Sequence, residues 1–266
     1  MYDKYNRRIN YLRISVTDRC NLRCVYCMPA EGIKLISHNE ILTFDEIYEV
    51  AKVAVSMGVD KIRITGGEPL VRKDIVKLVA MIGSLDGLKD FGMTTNGIYL
   101  KKYAQALKDA GLHRVNISLD TTDPEKYRKI TRLGDINQVY EGIDAAKKAG
   151  LTPVKINCVI KKTKEEPDAQ LVAKFCKEND LQVRFIREMD LETGQFWRVQ
   201  GGDGGECKIC NRLRLTSNGK IRPCLFSDLE YDVRTLGAER AIKLAVGEKP
   251  KNGTVAMKVK FSNIGG

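Results

Sequence analysis

The chain has 266 residues, 43% apolar and 30% charged, with a formal net charge of +11, which is enough for one large domain or a domain with an appendage. No run of about eighteen apolar residues is present, and residues 1–10, MYDKYNRRIN, carry no hydrophobic signal core. Membrane and secreted classes are therefore set aside, and a cytoplasmic protein is expected. The positive balance points to an anionic partner. Lys and Arg are spread along the chain rather than packed into one run, and aromatics are only 7%, so a bound nucleotide fits and nucleic acid is not expected.

From residue 9 to 188, short β-rich runs alternate with helical patterns, the mark of a parallel sheet wrapped by helices. Strands are expected over 11–16, 60–65, 89–94, 114–119, 152–160 and 181–188. Helices are expected over 44–57, 72–84, 100–110, 123–131, 136–149 and 164–178, with Gly58, Gly111 and Gly150 as stops. Six such units predict an α/β fold, a partial (β/α)6 barrel rather than the full eight. The Gly-rich passage 201–205 breaks this pattern, so a barrel over 1–190 is expected to be followed by a small second region over 191–266.

Strand parity places polar side chains together. Arg13 and Ser15 share a face, as do Arg63 and Thr65, Asn116, Ser118 and Asp120, Lys155 and Asn157, and Arg184 and Glu188. The opposite faces are apolar and must meet the helices, so the polar set points into the barrel. Burying Arg13, Arg63, Lys155 and Arg184 around one lumen is costly unless an anion neutralises them. Pairing with Asp120, Glu188 or Glu68 is the alternative.

The eight cysteines read as metal ligands rather than disulfides, since six fall in two tight groups. Cys20, Cys24 and Cys27 form C-x3-C-x2-C, three sulfurs with no fourth ligand nearby, where a closed zinc site wants four. A four-iron cluster held by three thiolates leaves one iron open. Cys207 and Cys210 form C-x2-C, and Cys224 follows after thirteen intervening residues. This second trio suits a second cluster, or zinc completed from elsewhere. Arg212 and Arg214 share a side of the extended segment beyond it, and their planar guanidinium forks suit phosphate and guanine edges. After strand two, Gly66-Gly67-Glu68-Pro69 allows tight backbone approach, with a carboxylate able to hold an ammonium group. Cys158 and Cys176 are expected as core thiols, and His38 and His113 are assigned no role.

The loop TDRCNLRCVYCMP at 17–29 resembles that of the radical S-adenosylmethionine enzymes. CKICNRLRLTSNGKIRPCLF, with KIRITGGEPL, MTTNGIYL, VNISLD and a terminal IGG, is in addition similar to the GTP 3',8-cyclase family of molybdenum cofactor biosynthesis. The resemblance implies a radical enzyme with a small C-terminal iron–sulfur cluster domain and two 4Fe-4S clusters, on Cys20, Cys24 and Cys27 and on Cys207, Cys210 and Cys224. S-adenosylmethionine would lie against Tyr26, Gly66, Gly67, Glu68, Ser118 and Met189. Arg13, Arg63, Thr94, Lys155 and Arg184 would contact GTP, with Arg212 and Arg214 nearer the second cluster. Arg13, Gly265 and Gly266 would take part in catalysis. An electron donor such as flavodoxin or ferredoxin is implied, and a homodimer is compatible. One departure stands out: only seventeen residues, 190–206, separate the barrel from the second trio, where the family has a much longer segment. A related two-cluster enzyme acting on a peptide or another nucleotide is the alternative within enzymes. Outside them stand a zinc-ribbon nucleic-acid binder and an electron-transfer protein.

Overall fold

Alternation in YLRIS produces the strand on which the sheet is assembled. In β1 (Tyr11–Ser15), Leu12 and Ile14 are buried on one side while Arg13 turns to the other. Five further strands run parallel beside it, β2 (Lys61–Thr65), β3 (Asp90–Thr95), β4 (Arg114–Ser118), β5 (Lys155–Ile160) and β6 (Gln182–Arg187), each paired with its predecessor. Parallel neighbours need long crossovers. These contain α1 (Phe44–Ser56), α2 (Ile75–Gly83), α3 (Leu100–Asp109), α4 (Pro124–Thr131) with α5 (Ile136–Lys148), and α6 (Pro167–Glu178). The structure, a computed structural model, describes residues 1–257, so Gly265 and Gly266 lie outside the described residues.

The six-unit expectation therefore matches the strand order β6-β5-β4-β3-β2-β1, an open sheet rather than a closed ring. The edge of β1 is not bare. After residue 190 the chain returns as β7 (Arg212–Leu215), parallel to β1, and continues antiparallel as β8 (Lys220–Arg222) and β9 (Tyr231–Asp232). Two helices follow, α7 (Val233–Leu236) and α8 (Ala238–Gly247), and α8 lies against α1. One core of Leu, Ile, Val and Ala side chains fills the space between sheet and helices. A second, small one gathers Leu191, Leu225, Phe226 and Ala256. No helix among the described residues is long and apolar enough to cross a membrane.

Three element starts differ by three residues from the sequence expectation, each for a local reason. Helix α2 begins at 75 rather than 72 because Pro69–Val71 forms a 3-10 turn. The Arg72 guanidinium is meanwhile drawn away to the Val16 and Leu42 carbonyls, 2.6 Å from each. Helix α6 begins at 167 rather than 164, since the Glu166 carboxylate accepts the N–H groups of Lys161, Lys162 and Thr163 and holds them in a loop. Strand β5 begins at 155 rather than 152, as Pro153 has no N–H for the ladder. Gly58, Gly111 and Gly150 have φ of 98°, 90° and 74°, in keeping with their place as helix stops.

The Gly-rich passage is packed, not loose. Phe185 and Gln200 exchange backbone hydrogen bonds of 3.1 Å, which stitches the passage to β6. A Cβ at Gly201 would meet the Val183 carbonyl at 2.7 Å, and one at Gly205 would meet the Trp197 carbonyl at 1.9 Å.

The two faces of β2 lead to opposite outcomes on substitution. Ile64→Ala, which empties a fully buried site, is expected to lower unfolding free energy by about 3 kcal/mol. Arg63→Met, one residue away on the cavity side, is expected to leave it unchanged or raise it, because it removes a cation facing other cations. Urea denaturation of the two variants checks this; equal losses would contradict the assigned faces.

Candidate active site

The end of β1 leads directly into the first cysteine loop, and the turn after β2 clasps that loop's entry. Gly67 N–H donates to the Thr17 carbonyl at 2.7 Å, and Glu68 N–H donates to that of Arg19 at 2.8 Å. A Cβ at Gly66 would fall 2.7 Å from the Thr17 oxygen, and one at Gly67 would fall 2.3 Å from the Arg19 oxygen. Both glycines line the cavity beside the cysteines, but the close approach that requires them is to the chain's own backbone.

Glu68, in the same turn, is held by three hydrogen bonds. Its carboxylate is 1% exposed and accepts from Leu70 N–H (3.0 Å), Thr95 Oγ1 (2.8 Å) and Asn96 N–H (2.7 Å). It ties the β2 turn to the end of β3. Burial pushes its carboxyl up to about 7, against the pull of these three donors. Asn96 carries the linkage onward, since its Nδ2 donates to Asn21 Oδ1 at 2.8 Å within the cysteine loop.

Cys20, Cys24 and Cys27 line one cavity of about 240 Å³ with Tyr26, Ser118 and Met189. The Tyr26 hydroxyl donates to Asp120 at 2.8 Å, and Asp120 also accepts Val159 N–H, so the loop is fastened to β4 and β5. Burial, with Glu68 and Asp120 nearby, pushes the Cys20 and Cys24 thiols up to about 11 and about 12. Three such thiols become thiolates only against strong positive charge, as a metal centre supplies.

Cys207, Cys210 and Cys224 line an adjoining cavity of about 180 Å³. Thr94, Asn157, Ile186 and Met189 belong to both walls, so the two trios line adjoining cavities. Strand register explains the floor between them. Arg63, Arg13 and Arg214 are direct partners across β2, β1 and β7, and Lys61, Tyr11 and Arg212 form the row beneath. Lys61, Arg212 and Arg63 stand 5.0, 5.5 and 5.9 Å from the centre of the Tyr11 ring. Burial alone would raise the Tyr11 phenol, but Arg63, Arg13, Arg212 and Lys61 bring it down to about 8.

Arg184 completes this wall. Asp120 and Glu68, proposed from sequence as partners of the cations, are bonded to Tyr26 and Val159 and to Leu70, Thr95 and Asn96 instead. Arg63 Nε and Thr94 Oγ1 are buried with no hydrogen-bond partner among the described residues. Orphaned donors of this kind suit an anionic oxygen. Lys155 does not reach the cavity wall. It stands behind, where burial and then Arg184 and Arg114 push its ammonium down to about 8.

The glycines, Asp203 and Glu206 of 202–206 close this cavity, and the stacked pair Phe196 and Phe226, 4.5 Å between ring centres, lines it near Cys224. Sequence reading missed these, along with Tyr11, Lys61 and Asn96. Tyr11 and Lys61 lie two residues before Arg13 and Arg63 on the same face, so parity held the signal. The contributions of Asn96 and the 196–206 loop come from tertiary packing and left none. Cys158 and Cys176 are buried, His38 is exposed, and His113 Nδ1 accepts from Phe91 N–H at 3.1 Å.

Among the described residues no three His, Cys, Asp or Glu side chains converge closely enough for a single ion. A cubic cluster binds one thiolate at each of several irons, so sulfurs set apart around a cavity are what it takes. The donor set thus fits an iron–sulfur cluster.

The sequence matches the radical SAM superfamily over residues 14–176. It is 44% identical to a GTP 3',8-cyclase of Thermodesulfovibrio yellowstonii over 282 residues, 89% of this chain and 88% of the relative. It is 45% identical to one of Alkaliphilus oremlandii, over 88% of this chain and 86% of the relative. Since 282 exceeds the 266 residues present, the first relative carries residues that this chain lacks. Among solved structures, Streptococcus suis SuiB bound to S-adenosylmethionine superposes with a TM-score of 0.65 at 17% identity, over 94% of this chain and 66% of that one.

The buried Glu68 has a pH signature. Its folded value lies above the ordinary 4.5, so the stability it contributes is full below about 4.5 and is lost as pH rises through about 7. Glu68→Gln is expected to flatten that part of the profile, read by thermal denaturation of the metal-free protein from pH 4.5 to 8. An unchanged slope would show that Glu68 is already ionised when buried.

Proposed function

Because the chain belongs to the GTP 3',8-cyclase family of radical S-adenosylmethionine enzymes, we propose that it converts GTP to 3',8-cyclo-7,8-dihydroguanosine 5'-triphosphate in molybdenum cofactor biosynthesis. The observation that carries this reading is the row of cross-strand arginines, with the orphaned donors Arg63 Nε and Thr94 Oγ1 beside it, in adjoining cavities lined by the two cysteine trios.

Cys20, Cys24 and Cys27 would hold one 4Fe-4S cluster, with S-adenosylmethionine against Tyr26, Gly66, Gly67, Ser118 and Met189. When bound, this pair would supply the 5'-deoxyadenosyl radical that removes hydrogen from C3' of the ribose; closure of C3' on C8 of guanine then needs one further electron, from the one-electron donor, and one proton to give the 7,8-dihydro product. The chain's own residues position the substrate. Arg13, Arg63 and Arg184 would take the triphosphate oxygens, Thr94 Oγ1 would donate to the ribose or phosphate edge, and Lys155 would add charge from behind. Glu68 acts through structure, holding Gly66, Gly67 and Asn96 in place.

Cys207, Cys210 and Cys224 would hold a second 4Fe-4S cluster, with Arg212 and Arg214 on the guanine side and Phe196 and Phe226 as an apolar wall for the purine. The short 190–206 segment supports this, because residues 202–206 close the cavity that a longer segment would otherwise enclose. A one-electron donor of the flavodoxin or ferredoxin class completes the cycle.

Anaerobic assay tests the reading. With reductant, S-adenosylmethionine and GTP, the reconstituted protein is expected to release 5'-deoxyadenosine and the cyclised product, and to bind about eight irons per chain. Cys24→Ala is expected to abolish cleavage of S-adenosylmethionine. Cys224→Ala is expected to retain cleavage and lose the cyclised product; equal loss of cleavage in both variants would contradict the division of labour. Turnover with another nucleoside triphosphate and none with GTP would displace the substrate.

A further inference from the structure

Two buried cations converge on the second cysteine trio from outside the cavity. Lys249, 1% exposed, donates from Nζ to the carbonyls of Arg212, at 2.7 Å, and Pro223. Arg212 lies two residues past Cys210, and Pro223 immediately precedes Cys224. One ammonium therefore ties together the two segments that carry these cysteines, and it also stands beside the Cys210 sulfur. Arg7 does similar work for the third cysteine. It donates to the Cys207 carbonyl at 2.8 Å and to those of Pro250 and Lys251 at 2.7 and 3.0 Å, while its Nε is paired with Asp3 at 2.6 Å.

The two cations differ in how their charge is answered. Arg7 has Asp3. Lys249 has no carboxylate partner among the described residues, and the groups that favour its charged form are Cys210 and Cys224. A buried ammonium with two carbonyls and no counter-charge is costly, and an anionic centre on the neighbouring thiolates would remove that cost. The first trio has the opposite surroundings, with Glu68 beside Cys20 and Asp120 beside Cys24.

We propose that Lys249 is the charge partner of the second trio, a positioning residue that stabilises the reduced state of a cluster bound there and makes it easier to reduce than the cluster on the first trio. This rests on the reading that Cys207, Cys210 and Cys224 hold a cluster. Net charge and hydrogen bonding to the sulfurs set the potential of such centres. Reduction adds one electron from an external one-electron donor; no bond or proton at Lys249 changes.

The test uses the full chain with Cys20, Cys24 and Cys27 all changed to Ala, reconstituted anaerobically, so that the second cluster is observed alone. Its midpoint potential is read by electron paramagnetic resonance during titration with dithionite. Lys249→Met in this background is expected to lower the potential and Lys249→Arg to leave it near the parent value. The parent potential is expected to lie above that of the first cluster, isolated by the reciprocal triple variant. A loaded Lys249→Met variant with an unchanged potential overturns the proposal. Should Lys249→Met fail to take up iron, Lys249→Gln, which keeps donors for the carbonyls, carries the comparison. Loss of iron in both neutral variants with retention in Lys249→Arg supports the proposal, whereas loss in all three overturns it. A parent that binds no iron overturns the second-cluster reading itself and the proposal with it.

Discussion

Three arginines side by side on adjacent strands are the constraint around which this molecule is built. Like charges in direct register repel, and the row of Arg63, Arg13 and Arg214 is reinforced by Lys61 and Arg212 beneath it. Such a surface holds together because the opposite faces of the same strands are anchored by Leu12, Ile14, Ile62, Ile64, Leu213 and Leu215, all essentially buried. The hydrophobic layer thus stabilises an electrostatic arrangement that would not assemble unaided. Tyr11 moderates it from within by presenting its ring to three of the cations.

The two cysteine trios acquire their relation through that same sheet. The first leaves the carboxyl end of β1; the second lies at the start of β7, the neighbour of β1. Their approach is therefore a consequence of one strand pairing rather than of a separate docking surface. The clasp between residues 17–19 and Gly66–Glu68 fixes the first trio, and Arg7 and Lys249 fix the second from behind. Backbone hydrogen bonds hold one and buried cations the other, so the two centres sit in different fields.

Much of this was legible from sequence where a side chain's role follows from local pattern. Strand parity alone placed Arg13, Arg63 and Arg184 on a common wall, and the spacing of the cysteines announced both trios. Lys155 has the same parity and stands in register with Asn116 of that wall, though it does not itself line the cavity. The tie that Glu68 makes between strands leaves no local signal, because nothing in the sequence shows that Thr95 and Asn96 will come to meet it. Lys249 was invisible for the same reason: a lone lysine after a helix says nothing of the carbonyls it will bind.

The pairing of β1 with β7 joins residue 11 to residue 212. During synthesis on the ribosome, the first six strands and their helices emerge long before that partner exists, and domains tend to fold as their segments become available. The edge of β1 must wait uncovered until roughly four fifths of the chain has been made. The floor of the cavity is then completed late, at the stage when the second set of sulfurs also arrives.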